Sequence, residues 1–159
     1  MKISEIQKFV RDMLVKDAAV AASGAAVVCA DEGDVAYETV KAEMEASGII
    51  VVILAPKFTP TSKDAKHAVG NLDLTVRVSE TPNRNRERAD FTTGIALAEH
   101  IAVLLNLEKP GPDHDLLVLV APGIVGSPVG KETVAWDVTF TTVHQLDSRS
   151  QKSKSNIGI

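Results

Sequence analysis

Two segments of this sequence alternate apolar and polar residues with a period of two, and they restrict the fold more than any other feature. The first reads LDLTVRVS at 72–79, and the second reads TVAWDVTFTTVH at 133–144. Successive side chains of a β-strand point to opposite faces, so each segment is predicted to be a strand with one face on the core and one face in water. Strands of this kind are typical of antiparallel sheets.

Helical periodicity and uninterrupted apolar runs supply the other predicted elements. Apolar residues recur at helical spacing near the N-terminus, where Ser4 with Gln7 resembles a capping box. They recur again after Thr92 and Thr93, either of which could cap that helix. A further helix is predicted between Asp34 and Gly48. In that third helix we expect Val35 to face inward, and in the helix after Thr93 we expect the same of Ile95. The segment TPTSKDAKHAVG is polar and is predicted to be a loop or flap.

The runs AVVCA, IIVVILA and DLLVLVAP predict three further strands. The second of these lacks alternation, which indicates a strand covered on both faces. The stretch GIVGSPVG is predicted to be a Gly/Pro-rich turn that joins the last two strands into an antiparallel hairpin.

The order of these elements favours an α+β fold. Consecutive strands without an intervening helix pair most simply in antiparallel fashion, so we predict a mostly antiparallel sheet of about four to five strands with two or three helices on one face. The 159 residues fit one domain, which we place at 1–146. Residues 147–159 (DSRSQKSKSNIGI from 147) are polar and aperiodic and are predicted to be a disordered tail, the alternative being an arm that orders on assembly.

Charge and cysteine content exclude several classes of protein. The formal net charge is −4, whereas a general nucleic-acid binder usually carries a basic excess. The single cysteine, Cys29, cannot form an intrachain disulfide and lies in an apolar run, which indicates a buried, inert thiol. The longest apolar runs are too short to span a bilayer, and no secretory signal is visible. We therefore expect a cytoplasmic protein without a membrane partner.

An arginine-rich loop, TPNRNRERAD at 81–90, separates the first alternating strand from the next helix. Connections usually need about 4–6 residues, so this one carries more charge than joining requires. One interpretation is contact, because guanidinium groups pair bidentately with carboxylates or phosphates of a neighbour. The other is a solvated loop in which Glu87 and Asp90 balance the arginines. Under either interpretation we expect exposed arginines that contribute little to stability.

No catalytic constellation is evident in the sequence. The four histidines lack metal-ligand spacing, Ser127 is followed by proline rather than by a helix, and no phosphate-binding loop is complete. His114 lies between Asp113 and Asp115, where a solvated turn is favoured over a cation site. We therefore assign no catalytic, cofactor-binding or metal-ligating residue and expect no cofactor and no enzyme activity.

The segments LDLTVRVSETPNRN, FTTGIALAEHIAVLLN and ETVAWDVTFTTVHQL together resemble the tail-terminator, or tail-completion and head–tail joining, proteins of long-tailed bacteriophages and related minor tail proteins. The resemblance covers most of 1–146 and rests on element order and a loose E-x-P-x-x-N type turn. It implies a small α+β protein with an N-terminal helix and a closing hairpin. It also implies a structural subunit of a phage or prophage.

If the resemblance holds, copies of the chain assemble into a ring, commonly a hexamer, that caps the tail tube and meets the head connector. The subunit would assemble in the host cytoplasm and end in the virion tail, with DNA passing through without sequence-specific binding. A ring needs heterologous contacts, for which arginine is well suited. The candidate interface residues are Arg84, Arg86, Arg88, Asn83, Asn85, Lys63 and Lys66, and the candidate lumen-facing residues are Asp73, Thr75 and Arg77.

Two other functions remain open from the sequence. One is a module that binds a small molecule or a peptide in an apolar cavity between sheet and helices. The other is a hydrolase or transferase that uses His114 with nearby aspartates, which would require perturbed pKa values clustered in one cleft.

Overall fold

A computed structural model of the chain describes residues 2–61, 67–111 and 115–147. Within these residues the helices are α1 (Ile3–Lys16), α2 (Ala18–Ser23), α3 (Asp34–Ala46), α4 (Pro82–Asn85) and α5 (Gly94–Leu105). The strands are β1 (Ala26–Cys29), β2 (Ile49–Ile53), β3 (Lys57–Pro60), β4 (His67–Glu80), β5 (Val118–Val129) and β6 (Thr133–Asp147). In the described part of the chain, none of these helices has the length and apolar character needed to cross a bilayer.

The strands form one open sheet in the order β1-β2-β4-β6-β5, with β3 pairing to β4 outside this path. Only β1 and β2 are parallel, and α3 connects them. All other pairs are antiparallel. The predicted α+β class with a mostly antiparallel sheet is therefore confirmed, and β3 brings the number of strands to six.

The two long strands β4 and β6 lie next to each other in the sheet. They pair along 14 residue positions, from His67↔Asp147 to Glu80↔Val134. Strand β2 pairs with the second half of β4, and β3 pairs with its first half. The first half of β4, the end of β6 and β3 therefore form a three-stranded extension beyond β2. The sequence predicted a loop or flap here, but Pro60 lies in β3 opposite Gly70, so part of the segment joins the sheet.

The hydrophobic core lies between the sheet and the helices α1, α2 and α5. The apolar face of the two alternating strands packs into this core. Its buried residues include Leu74, Val76, Val78, Val138 and Phe140. Helix α3 contacts β1 and β2. Residues of both parities in β2 are buried, as its non-alternating sequence predicts.

Local details differ from the sequence-based expectations in three places. The stretch GIVGSPVG is not a turn, since β5 continues through it to Val129 with a register shift between Leu119 and Ile124. Val35 is 67% exposed and Ile95 is 38% exposed, so neither faces the core as predicted.

Candidate functional site

The arginine-rich loop folds back onto the protein rather than extending into solvent. It begins with the single helical turn α4, whose proline occupies the first turn, where a missing N–H costs nothing. Asn85 ends this turn and is completely buried. Its Nδ2 donates to Glu80 Oε2 at 2.6 Å and to the Thr92 carbonyl at 2.8 Å. Asn85 therefore ties the end of β4 to the residues that precede α5.

Arg88 joins the loop to a distant part of the chain. Its Nη2 donates to the Ser23 carbonyl at 2.8 Å and also to Asn85 Oδ1. The guanidinium occupies the space that a Cβ on Gly24 would need, and Gly24 has a φ of +76°, which favours glycine. Arg88 thus fastens the C-terminal end of α2 to the loop, and we call Glu80, Asn85 and Arg88 the loop clasp.

Arg84 and Arg86 lie at the outer side of the loop, each with a side chain that is 53% exposed. Arg84 Nε donates to the Glu45 carbonyl at the end of α3, at 2.9 Å. Arg86 Nη2 lies 3.9 Å from Glu80 Oε1, so it partly compensates a carboxylate whose side chain is only 3% exposed. Both guanidinium groups retain surface that a neighbouring molecule can reach.

The sequence-based expectation was an exposed loop whose side chains contribute little to stability. It is wrong for Arg88 and Asn85. Asn85 is buried and Arg88 is half-buried, and both donate hydrogen bonds to other parts of the same chain. Of the loop candidates, Asn83, Arg84 and Arg86 are the exposed ones. The candidates Lys63 and Lys66 lie outside the described residues, as do Asp113 and His114.

Sequence reasoning missed Glu80, although a signal was present. Glu80 continues the parity of Leu72, Leu74, Val76 and Val78, so alternation places its carboxylate on the buried face. Its side chain begins beside Gly94, where an added Cβ would lie about 3.0 Å from both the Glu80 Cβ and the Trp136 ring. The absence of a side chain at Gly94 lets α5 begin directly against the sheet.

The opposite face of β4 and β6 carries the residues predicted to line a lumen. Arg77 donates from Nε and Nη2 to the two carboxylate oxygens of Asp137, at 2.7 and 2.9 Å. The hydrogen bond with Asp137 raises the pKa of Arg77, although partial burial opposes it. Thr75 lies 3.5 Å from Thr139 between their hydroxyl oxygens. Asp73, Thr75 and Arg77 are all half-buried on one polar surface, which we call the polar sheet face.

A second polar pair holds two helices together. Asp17 caps α2 by accepting a hydrogen bond from the Val20 amide at 3.0 Å, and the same oxygen lies 2.7 Å from His100 Nε2 on α5. Partial burial raises the pKa of the Asp17 carboxyl. The hydrogen bonds from Val20 and His100 and the charge of His100 outweigh that effect and leave the pKa lowered.

The described residues contain no group of three or more His, Cys, Asp or Glu side chains placed to hold a metal ion. His144 is buried and packs edge-on against Phe58 with 6.1 Å between ring centroids, and Cys29 is buried. The polar side chains of the loop clasp and of the polar sheet face are engaged in hydrogen bonds and ion pairs within the chain.

Fold and sites together define the class of this chain as an α+β domain built on a mostly antiparallel six-stranded sheet. No protein-family model matches the sequence, and no curated protein matches it either.

Proposed function

We propose that the chain is a structural subunit of a long-tailed phage or prophage tail, a tail terminator or head–tail joining protein that assembles into a ring capping the tail tube. The observation that carries this proposal is the polar sheet face. The Arg77 guanidinium is neutralised by Asp137, and the next cross-strand pair on this face is Thr75 with Thr139. A surface along which DNA passes must not hold the phosphates, and a neutralised arginine meets that need.

The exposed part of the arginine-rich loop supports ring contacts. A closed ring requires one patch of each subunit to meet a different patch of the next. Arg84 and Arg86 present forked donors on a subunit with a formal net charge of −4, so carboxylates are abundant on any copy that they meet. The proposed contact is therefore guanidinium to carboxylate between neighbouring subunits.

Light scattering across a range of protein concentrations tests the assembly. The native chain should form a discrete oligomer, and replacing Arg84 and Arg86 together with alanine should shift the midpoint of assembly to at least tenfold higher concentration. Lys8→Ala, which removes an exposed cation from α1, is the matched control and should leave assembly unchanged. A chain that stays monomeric at every concentration while binding a metabolite tightly would refute the proposal.

The polar sheet face is tested separately with Asp137→Asn. This change removes the carboxylate and leaves the Arg77 guanidinium without its charge partner. The variant ring should retain duplex DNA at low salt, with retention lost as salt increases, whereas the native ring should not retain it. Equal retention by both proteins in a filter-binding assay would show that this face does not meet DNA.

A further inference from the structure

Strand β5 is an edge of the sheet, and part of its outer side is open. Within the described part of the chain, β6 is the only strand that pairs with it. Residues 106–108 cover the outer side of its first half, where the Leu119 amide donates to Asn106 Oδ1 at 2.9 Å. No described strand or loop bonds to the outer side of residues 124–129. Such an open edge presents a row of backbone N–H and C=O groups to another strand.

The hydrogen bond of Leu119 shows which residues of β5 direct their backbone groups outward. Leu119 lies opposite Phe140, and its N–H points away from β6. Antiparallel pairing alternates between hydrogen-bonded and non-hydrogen-bonded pairs. The partners of Ile124, Gly126 and Pro128 lie two, four and six positions before Phe140 on β6, so these three residues also direct their backbone groups outward. Pro128 has no N–H, which fits a position on an edge.

The helix side of this open edge has a gap at Gly126. Gly126 lies opposite Trp136, and an added Cβ there would lie 2.5–2.9 Å from three atoms of the Trp136 six-membered ring. The ring therefore lies over the edge strand, and Trp136 is only half-buried. On the other face of the strand Val125 is 39% exposed. A strand added to this edge would thus meet an aromatic ring on one face and a valine on the other.

We propose that the open edge of β5 pairs with the same edge of a second copy of the chain, antiparallel about a two-fold axis at Val125. In this register Ile124 of each copy lies opposite Gly126 of the other, and each such pair exchanges both of its N–H···O bonds. The Ile124 side chain fills the space beside Gly126 and packs on the Trp136 ring. The two Val125 side chains meet on the opposite face. The contact is isologous, because one strand supplies both halves.

Proline restricts the register. With the two-fold axis at Gly126, Pro128 of one copy would lie opposite Ile124 of the other. The Ile124 carbonyl would then have no donor, because proline lacks an N–H. Two glycines would also lie opposite each other and leave the space beside the Trp136 ring empty. The axis at Val125 avoids both losses.

Charge at the ends of the paired strands is complementary. In the proposed register the hairpin tip at residues 130–132 of one copy points toward residues 106–108 of the other, which end the open edge. Lys131 at the tip and Glu108 in that segment are both exposed. Opposite charges therefore meet at each end and favour this orientation. The inference does not rest on the proposed function, because it uses the edge of β5 and not the arginine-rich loop.

A cysteine pair tests the register in the full chain. Opposite residues of a non-hydrogen-bonded pair have Cα atoms about 4.5 Å apart, within the span of a disulfide. Val125→Cys should therefore form a linked dimer when copper–phenanthroline is added as oxidant, while the native Cys29 is buried. Ser127→Cys is the matched control, because it is exposed on the same face of β5 but lies about 13 Å or more from its counterpart.

The linked fraction of Val125→Cys should exceed that of Ser127→Cys by about fivefold or more. Equal fractions, or a larger fraction for Ser127→Cys, would refute the two-fold axis at Val125.

Hydrogen exchange of single amides, followed by nuclear magnetic resonance, tests the pairing in the native chain. The Ile124 and Gly126 amides should exchange about tenfold more slowly at high than at low protein concentration, because pairing occupies them. The Val125 and Ser127 amides face β6 and should exchange slowly throughout. Fast exchange of Ile124 and Gly126 at every concentration would overturn the proposal. Slow exchange of both in a chain that light scattering shows to be monomeric would assign the edge to another part of the same chain and would also refute it.

A charge at the centre of the contact should prevent it. Val125→Lys places two cations opposite each other and should abolish the concentration-dependent protection. Val143→Lys is the control, because Val143 is 46% exposed on the same face of the sheet but lies on β6. Protection that persists in Val125→Lys would refute the pairing. Replacing Arg84 and Arg86 with alanine should leave the Val125→Cys link unchanged, so failure of this inference is distinguishable from failure of the proposed ring.

Discussion

Replacing Arg88 with alanine should destabilise this protein far more than replacing either other arginine of the same loop. Arg88 makes two hydrogen bonds, to the Ser23 carbonyl and to Asn85 Oδ1. Hydrogen bonds to charged groups contribute about 1.5–3 kcal/mol each. Because Ser23 and Asn85 are buried, their acceptors would lose a donor that water replaces only in part. We expect a loss of about 2–4 kcal/mol in the free energy of unfolding, a large share of the 5–15 kcal/mol typical of a domain.

The matched control is Arg84→Ala. Arg84 also makes a hydrogen bond to a backbone carbonyl, but its side chain is 53% exposed, so water can replace it. We expect a loss of about 0.5 kcal/mol for this variant. Urea unfolding followed by circular dichroism measures both values, and an unchanged m-value would show that the unfolded states are comparable.

Arg88→Lys provides a second control within the same site. Lysine keeps the charge but lacks the planar fork that reaches two acceptors at once, so its stability should lie between those of the native chain and Arg88→Ala. Equal losses for Arg88→Ala and Arg84→Ala, or a loss below about 1 kcal/mol for Arg88→Ala, would refute the structural role of the clasp.

Three further changes give distinct outcomes. Asp17→Asn keeps a helix cap but removes the charge that meets His100. Because the pKa of Asp17 in the folded protein is lowered from 3.8, the native chain should be more stable than the variant by about 1 kcal/mol at neutral pH. Acid unfolding curves should show this difference in the free energy of unfolding disappear as the pH falls below 3.8. Gly126→Ala places a Cβ 2.5–2.9 Å from the Trp136 ring, so fluorescence of this single tryptophan should shift to the red with a loss of about 1–3 kcal/mol; unchanged emission would contradict the packing. Gly70→Ala puts a Cβ against the backbone of β3, so hydrogen exchange should accelerate in β3 while the core strands stay protected. Unchanged protection of β3 would show that the strand pair accommodates the added Cβ and would contradict the close approach.

The sequence predicted the frame of the fold because side-chain periodicity is a local property. The alternating segments became β4 and β6, each longer than predicted since pairing with β3 and with each other extends them. Of the two threonines that could cap α5, Thr93 does so, with the Ala96 amide donating to its hydroxyl at 3.3 Å. The capping of α1 differs, because Glu5 accepts from the Lys2 amide at 2.7 Å in place of a box built on Ser4.

The sequence did not reveal how the arginine-rich loop is used. The acceptor of Arg88 is a backbone carbonyl 65 positions earlier in the chain, and every residue has such a carbonyl, so no residue type marks the partner. Burial of Asn85 likewise depends on where α3 and β4 end and where α5 begins, because these parts of the chain surround it. The exposed Val35 and Ile95 show the same limit, because periodicity defines an apolar stripe but not the width of surface that its neighbours cover.

By itself, then, the sequence determined an α+β domain with two long alternating strands, since alternation and helical spacing act within a few residues. Only the tertiary structure decided that Asn85 and Arg88 connect distant parts of the protein while Arg84 and Arg86 face outward. It also decided that Arg77 is neutralised by Asp137, a residue 60 positions away across a strand pair. The physical reason is the same in each case: the value of a charged side chain depends on which acceptors surround it, and those come from parts of the chain that only folding brings together.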